Sequence, residues 1–246
     1  MQVGPFDDES ADLPTVGITN LGNTCFVGAS LQALFGAPVV YNAIRALGAG
    51  DNDVIIIGDS WAHGVHSLTE QMSAATTAVS PNELLAALVQ DWLDNGRQCY
   101  HRGHQMDASE FIQRCVERIT PLQQLITFTM QQISNEQPPP DPVDGYVFLP
   151  VPVLSGFSLQ ALVHYEYAWP GHQPQIVLTS MPGVLVVALK RFVLDDGRVK
   201  KDSSRIVDVD SLLIYNANNE TTARYSLEGV VHHIGATAHA GHYTAE

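Results

Sequence analysis

Residues 17–34 read GITNLGNTCFVGASLQAL. Two glycines and two asparagines come before Thr24, and an apolar stretch of helical character opens at Cys25 itself. The pattern predicts a helix running from about Cys25 to Phe35, with the cysteine in its first turn. Thr24 stands where a side-chain cap for that helix belongs. A helix N-terminus offers free N–H groups and a partial positive charge, both of which favour thiolate over thiol. The approach to Cys25 therefore reads as chemistry rather than packing.

Outward from this stretch, SPNELLAALVQDWL carries a second helix start. Ser80 is placed as N-cap, Pro81 as N1 and Glu83 as N3, with Leu84, Leu85, Leu88 and Trp92 forming an apolar stripe. QMDASEFIQRCVERI continues the helical theme with Phe111, Ile112, Cys115 and Ile119 on one face. At residues 137–145, QPPPDPVDG is rich in proline and poor in N–H donors, and is expected to be a connector. Beyond it, YVFLPVPV, QIVLTS, GVLVVALKRFVL, SRIVDVD and YSLEGVVHHIG have the composition of strands, and SLQALVHYEYA that of a short helix. The expected organisation is a flexible head over 1–14 and a domain over 15–246. That domain is of the α+β class, with an α-rich lobe over 15–136, a β-rich lobe over 137–246 and a cleft between them.

Composition narrows the function classes. The 246 residues include 26 acidic and 12 basic side chains, a formal charge of −14 that repels a phosphate backbone. Nucleic acid is not an expected partner, whereas a basic protein tail is. The first residues, MQVGPFDDESADLP, lack the basic and apolar regions of a secretory signal, and no stretch reaches the roughly 18 apolar residues of a membrane span. An intracellular protein is expected, cytoplasmic or nuclear. Three cysteines, Cys25, Cys99 and Cys115, form neither a disulfide framework nor a CxxC zinc pair. His232, His233, His239 and His242 lack cysteine or acidic partners at a familiar ligand spacing, so no metal and no cofactor is expected.

Near the end of the chain, HHIGATAHAGHYTAE sets His242 between Gly241 and Tyr243 in a strand-like context. A cysteine at a helix start and a distant histidine on a strand is the pairing that papain-like thiol proteases use. The imidazole takes the thiol proton, the thiolate attacks a carbonyl, and the resulting oxyanion needs donors such as the Cys25 N–H and an upstream amide, Asn20 or Asn23.

GITNLGNTCFVGASLQAL resembles the cysteine box of the ubiquitin-specific proteases, approximately G-(L/I)-x-N-L-G-N-T-C-(Y/F)-x-N-S-x-L-Q, with Gly28-Ala29 in place of the usual Asn-Ser. HQMDASEF, MPGVLVVALKRF and YSLEGVVHHIGATAHAGHYTA resemble three further blocks of that family, in family order. The resemblance implies a papain-like fold with a helical thumb and a β-sheet palm, and a deubiquitinase acting on ubiquitin and ubiquitinated proteins. It makes Cys25 the nucleophile, His242 the base and Asn20 the oxyanion donor. Asp107, Tyr243, Gly241 and Gln105 become substrate-binding residues, with Asp107 pairing an arginine of ubiquitin's tail and Tyr243 lining the passage for its diglycine end. Without CxxC pairs, the family's zinc-bearing fingers are expected to be reduced or absent. The family places an Asp or Asn some 15–20 positions after the histidine, yet the sequence ends at Glu246, so a form lacking the third residue and the last strands is expected. A ubiquitin-binding scaffold without catalysis is the alternative. VIIIGDSWAHG resembles the Gly-Asp-Ser strand end of small serine esterases, with Ser60 as nucleophile. No histidine here has Asp three positions before it, so that reading is remote and a surface insertion is expected.

Overall fold

The computed structural model describes residues 13–48, 60–94, 105–133, 141–167, 175–215, 221–237 and 240–246. Residues 1–12, Cys99, His239, the 54–59 half of the Gly-Asp-Ser stretch, residues 137–140 of the connector and the Trp92 side chain lie outside this description. The chain divides by packing into two units. One comprises 1–123, 228–235 and 239–246, the other 124–227 and 236–238. The division thus falls at Gln123/Gln124 rather than in the proline-rich connector, and the segment bearing His242 belongs to the unit that holds Cys25.

The first unit is built on helices α1 (Cys25–Phe35), α2 (Pro38–Arg45), α3 (Ser60–Ala74), α4 (Asn82–Asp94) and α5 (Ala108–Arg118). Residues 17–19 bridge to Val79, with Thr19 N donating to Val79 O at 2.8 Å and Val79 N to Gly17 O at 3.0 Å. This pins the approach loop of Cys25 ahead of α4. Phe111 of α5 stacks on Trp61 of α3, centroids 6.0 Å apart, and meets Phe26 of α1 edge-on at 5.7 Å. All three rings are at most 1% exposed, so an aromatic seam joins three helices. The expected stripe of Phe111, Ile112, Cys115 and Ile119 is fully buried. One cap here differs from expectation. Pro81 O accepts the Leu85 N–H at 2.9 Å, which makes Pro81 the N-cap of α4, and Ser80 Oγ has no hydrogen-bond partner. The α5 cap is Asp107, whose Oδ1 accepts from Ser109 N at 2.7 Å.

Two strands complete this unit, β10 (Val231–Thr237), of which 231–235 belong to it, and β11 (Ala240–Ala245). They form a two-stranded sheet, and the exchange of both N–H···O bonds between Val230 and Glu246 makes the pairing antiparallel. β11 packs on α1. At the other end of α1, Gly36 and Gly229 bring two backbones together. A Cβ on Gly36 would fall 2.4 Å from Glu228 O, and one on Gly229 2.5 Å from Ala33 O. These two glycines let the segment entering β10 lie directly on the helix end.

In the second unit, β1 (Phe128–Ile133) lies between β2 (Val143–Tyr146) and β4 (Gln175–Leu178), and both pairings are antiparallel. β3 (Phe148–Pro152) runs parallel to β5 (Val186–Lys190). Two antiparallel pairs follow, β6 (Phe192–Asp195) with β7 (Arg198–Lys201) and β8 (Ser211–Tyr215) with β9 (Thr221–Ser226). Helix α6 (Thr120–Ile126) spans the division between the units, and α7 (Leu159–Tyr167) is the expected short helix. Phe128, Leu149, Val151, Leu162, Leu212 and Ile214 form the core of this unit.

Three readings of the sequence change here. β1 is a strand inside the stretch read as α-rich, its inward Phe128 and Met130 alternating with outward polar positions. SLLIY is a strand not foreseen, and SRIVDVD forms only the isolated bridge of Val207 to Ser158. That segment is drawn off by irregular bonds: Arg191 Nη1 donates to Asp202 O at 3.0 Å and to Ser204 O at 2.8 Å. Arg191 is therefore a structural strut rather than the solvated end of a strand.

Two substitutions should move stability in opposite directions. In Gly229→Ala the methyl has a backbone oxygen 2.5 Å away, and overpacking of about 1–3 kcal/mol is expected. In Gly28→Ala, within α1, the nearest atom is Ile18 Cβ at 3.6 Å, ordinary contact, so the gain in helix propensity of up to about 1 kcal/mol should show. Thermal unfolding followed by circular dichroism should give a lower Tm for the first variant and an equal or higher Tm for the second.

Candidate active site

Asn20, Cys25, Gln105, Asp107, Gly241, His242 and Tyr243 all fall in the first unit. Residues 20–24 form a tight loop in which Gly22 has φ +96° and Asn23 φ +53°. The left-handed pair is what the glycine and asparagine of the sequence permit. The loop closes on one atom: Asn20 Oδ1 accepts from Gly22 N, Thr24 N and Thr24 Oγ1, each at 3.1 Å. With its oxygen used three times inward, the Asn20 carboxamide keeps its Nδ2 donors for other use.

Thr24 occupies the N-cap position but does not cap, which corrects the expectation from sequence. Its Oγ1 turns back into the loop, accepting from Leu21 N at 2.9 Å and donating to Asn20. The hydroxyl thus holds the loop shape and leaves the first N–H groups of α1 without a side-chain acceptor. Cys25 opens this first turn and is 8% exposed.

Gln105 and Asp107, on the residues leading into α5, reach the strand of His242. Gln105 Oε1 accepts the Gly241 N–H at 3.2 Å, and Gln105 Nε2 donates to Cys25 Sγ at 4.0 Å. Asp107 Oδ2 accepts the Tyr243 hydroxyl at 3.2 Å while Oδ1 serves the cap. Burial, helped by the Asp107 carboxylate, pushes the Tyr243 phenol well above its ordinary range, so it stays protonated and donates. Tyr243 is 7% exposed and stacks against His233, centroids 4.8 Å apart. Ser30, inside α1, donates to Ala108 O at 3.3 Å and ties the nucleophile helix to the start of α5.

His242 is exposed on β11, and among the described residues no hydrogen bond links it to Cys25 or to a third side chain. Glu246 instead meets His232, Oε2 to Nε2 3.4 Å. Among the described residues no three His, Cys, Asp or Glu side chains gather as a metal site would require. No single helix among them is long and apolar enough to cross a membrane. Ser60 opens α3 exposed, with no hydrogen bond to a histidine among the described residues. Burial pushes the Cys115 thiol far up, leaving it a neutral core group. The link the sequence reading missed is Gln105 to Gly241, since a side chain to backbone contact across 136 positions leaves no mark in spacing.

Ubiquitin carboxyl-terminal hydrolase 36 of Drosophila grimshawi is 26% identical over 286 residues, covering 93% of this chain and 22% of that protein. Human ubiquitin carboxyl-terminal hydrolase 35 is 27% identical over 135 residues, covering 54% of this chain and 12% of that protein. The chain therefore spans about a quarter or less of these relatives. Among solved structures, a chain of the Ubp8-containing SAGA DUB module bound to monoubiquitin superposes with a TM-score of 0.70 at 18% identity. That match covers 93% of this chain and 60% of the other, and the same module bound to ubiquitin aldehyde gives the same TM-score. The fold is thus the mixed α+β fold of that catalytic domain. The sequence profile of the ubiquitin carboxyl-terminal hydrolases matches residues 16–246, and the chain belongs to that family as a ubiquitin-specific-protease domain.

Proposed function

We propose that this chain is a thiol-dependent deubiquitinase that hydrolyses isopeptide or peptide bonds at the C-terminal glycine of ubiquitin. The observation that carries the reading is the loop 20–25, which sets a thiol at a helix N-terminus with a side-chain amide held beside it by its own oxygen. In this reading His242 accepts the Cys25 proton, and the thiolate attacks the glycine carbonyl carbon. The Asn20 Nδ2 and the Cys25 N–H stabilise the tetrahedral oxyanion. Collapse expels the amine, which takes its proton from His242, and leaves a thioester on Cys25. Water, deprotonated by His242, then releases ubiquitin with a free carboxylate. Catalytic hydrogen bonds are often long before substrate binds, so the bond from Cys25 to His242 is assigned to the complex.

Gly241, Tyr243, Gln105 and Asp107 are proposed to contact the ubiquitin tail. An arginine of that tail would find the exposed Asp107 carboxylate, in keeping with the −14 charge of the chain. Residues 15–246 are proposed as the catalytic domain, following a head over 1–14, and its place of work as the cytoplasm or nucleus. A second reading, a ubiquitin-binding scaffold without turnover, is favoured by the lack of an orienting partner for His242 among the described residues.

The deciding experiment incubates the chain with ubiquitin bearing a cysteine-reactive electrophile at its C-terminus, followed by intact mass. An adduct on the parent and none on Cys25→Ala is expected. No adduct on a folded parent that still binds ubiquitin would establish the scaffold instead. In turnover of a ubiquitin C-terminal amide, Cys25→Ala should abolish activity with binding kept. Asn20→Ala should lower kcat by about 10²–10³, the usual cost of one oxyanion donor.

A further inference from the structure

A single carboxamide joins the two halves of the reacting pair. Gln105 Nε2 donates to Cys25 Sγ at 4.0 Å, and Gln105 Oε1 accepts the backbone N–H of Gly241, the residue before His242, at 3.2 Å. Two positions further along, Asp107 Oδ2 accepts the hydroxyl of Tyr243, the residue after His242, at 3.2 Å. The segment 105–107 therefore grips the histidine strand on both flanks of His242 while its first residue touches the thiol. It is itself anchored, because Asp107 Oδ1 caps α5 and α5 is tied to α1 through Ser30.

We propose that Gln105 acts on the reaction directly, donating to the Cys25 sulfur so that the thiolate is favoured, and fixing the distance between that sulfur and the His242 strand through its carbonyl oxygen. The inference rests on Cys25 being the nucleophile and deepens that reading, because a residue that only bound the ubiquitin tail would have no reason to touch the sulfur. The chemistry of an amide suits both ends. An N–H gains strength as a donor when the sulfur becomes anionic, and a carbonyl oxygen is the complement of a strand N–H. His242, exposed and without a hydrogen-bonding side chain among the described residues, gains its placement from the backbone on either side of it.

Two variants separate the two ends. Gln105→Glu is isosteric and keeps the acceptor for Gly241 N–H, but replaces the donor to sulfur by a carboxylate. Gln105→Leu removes both. The readout is the rate of alkylation of Cys25 by iodoacetamide from pH 5 to 9, with the modified site located by peptide mass spectrometry. This requires neither ubiquitin nor turnover. Gln105→Leu should alkylate about tenfold more slowly at pH 7, the loss expected for one hydrogen bond to a charged group. Gln105→Glu should be slower still, with its profile moved to higher pH. With a ubiquitin amide substrate, Gln105→Glu should lose kcat while KM stays within about twofold.

Parental alkylation profiles in both variants would overturn the inference. A rise in KM with kcat unchanged would also overturn it, since it is the mark of a residue that serves only to hold the tail. Should Gln105→Leu fail to fold, Gln105→Glu alone decides by its pH profile. If alkylation responds as expected while the ubiquitin electrophile does not react, the role of Gln105 stands and the deubiquitinase reading falls.

Discussion

Helix α1 is apolar nearly all the way round, and that constraint governs the unit it belongs to. Cys25, Phe26, Val27, Gly28, Ala29, Ser30, Leu31, Leu34 and Phe35 are all buried. A helix with no polar face cannot lie on a surface, so it must be covered on every side. Here α2, α5 and β11 supply the cover. The buried Ser30 hydroxyl avoids an unpaired polar group by donating to Ala108 O. A central helix has a second consequence: its N-terminus is held still by the whole unit. A nucleophile in the first turn of such a helix moves only if the core moves.

Two thiols in the same unit show how position decides reactivity. Cys115 points into the seam of α5, fully buried, and desolvation of the thiolate pushes its thiol far up. It serves as a small apolar side chain. Cys25 is nearly as buried, at 8% exposed, but its surroundings are helix N–H groups and the Gln105 carboxamide rather than hydrocarbon alone. Thr24 matters to this contrast through what it does not do. A threonine capping α1 would spend one of the N–H groups on its own oxygen, whereas the observed turn of Oγ1 toward Leu21 and Asn20 leaves them to the site.

The sequence made the fold class and the loop ahead of Cys25 more legible than the individual strands. GNTC encodes its local geometry in residues with distinctive backbone preferences, and Gly22 and Asn23 adopt the left-handed conformations those preferences allow. Helices α4 and α5 were readable from their apolar stripes, α1 and α7 from composition. The β elements were less so, because a strand takes its identity from its partners. FTMQQI carries polar residues at outward positions that resemble a loop until β2 and β4 pair with it. SRIVDVD has the composition of a strand, yet Arg191 takes only its Ser204 carbonyl, Val207 bonds to Phe157 and Leu159, and the bridge of Val207 is the only ladder it makes among the described residues. Nor could sequence order foresee that β11 packs on α1, or that Gly36 and Gly229 let the end of that helix and the segment entering β10 approach backbone to backbone.

Asp107 shows why a structural and a functional reading of one residue need not compete. As the first residue before a helix it should cap, and Oδ1 does so. As the acid of the block that resembles the family motif it should meet a basic tail. A carboxylate has about four acceptor directions on its two oxygens. The cap and the Tyr243 hydroxyl leave directions open, and Asp107 is exposed. The two intramolecular bonds also set the carboxyl plane before any ligand arrives, so the proposed guanidinium would meet an oriented partner with little side-chain entropy left to lose. Tyr243, kept protonated by burial, donates to Oδ2 and so ties this carboxyl to the residue next to His242.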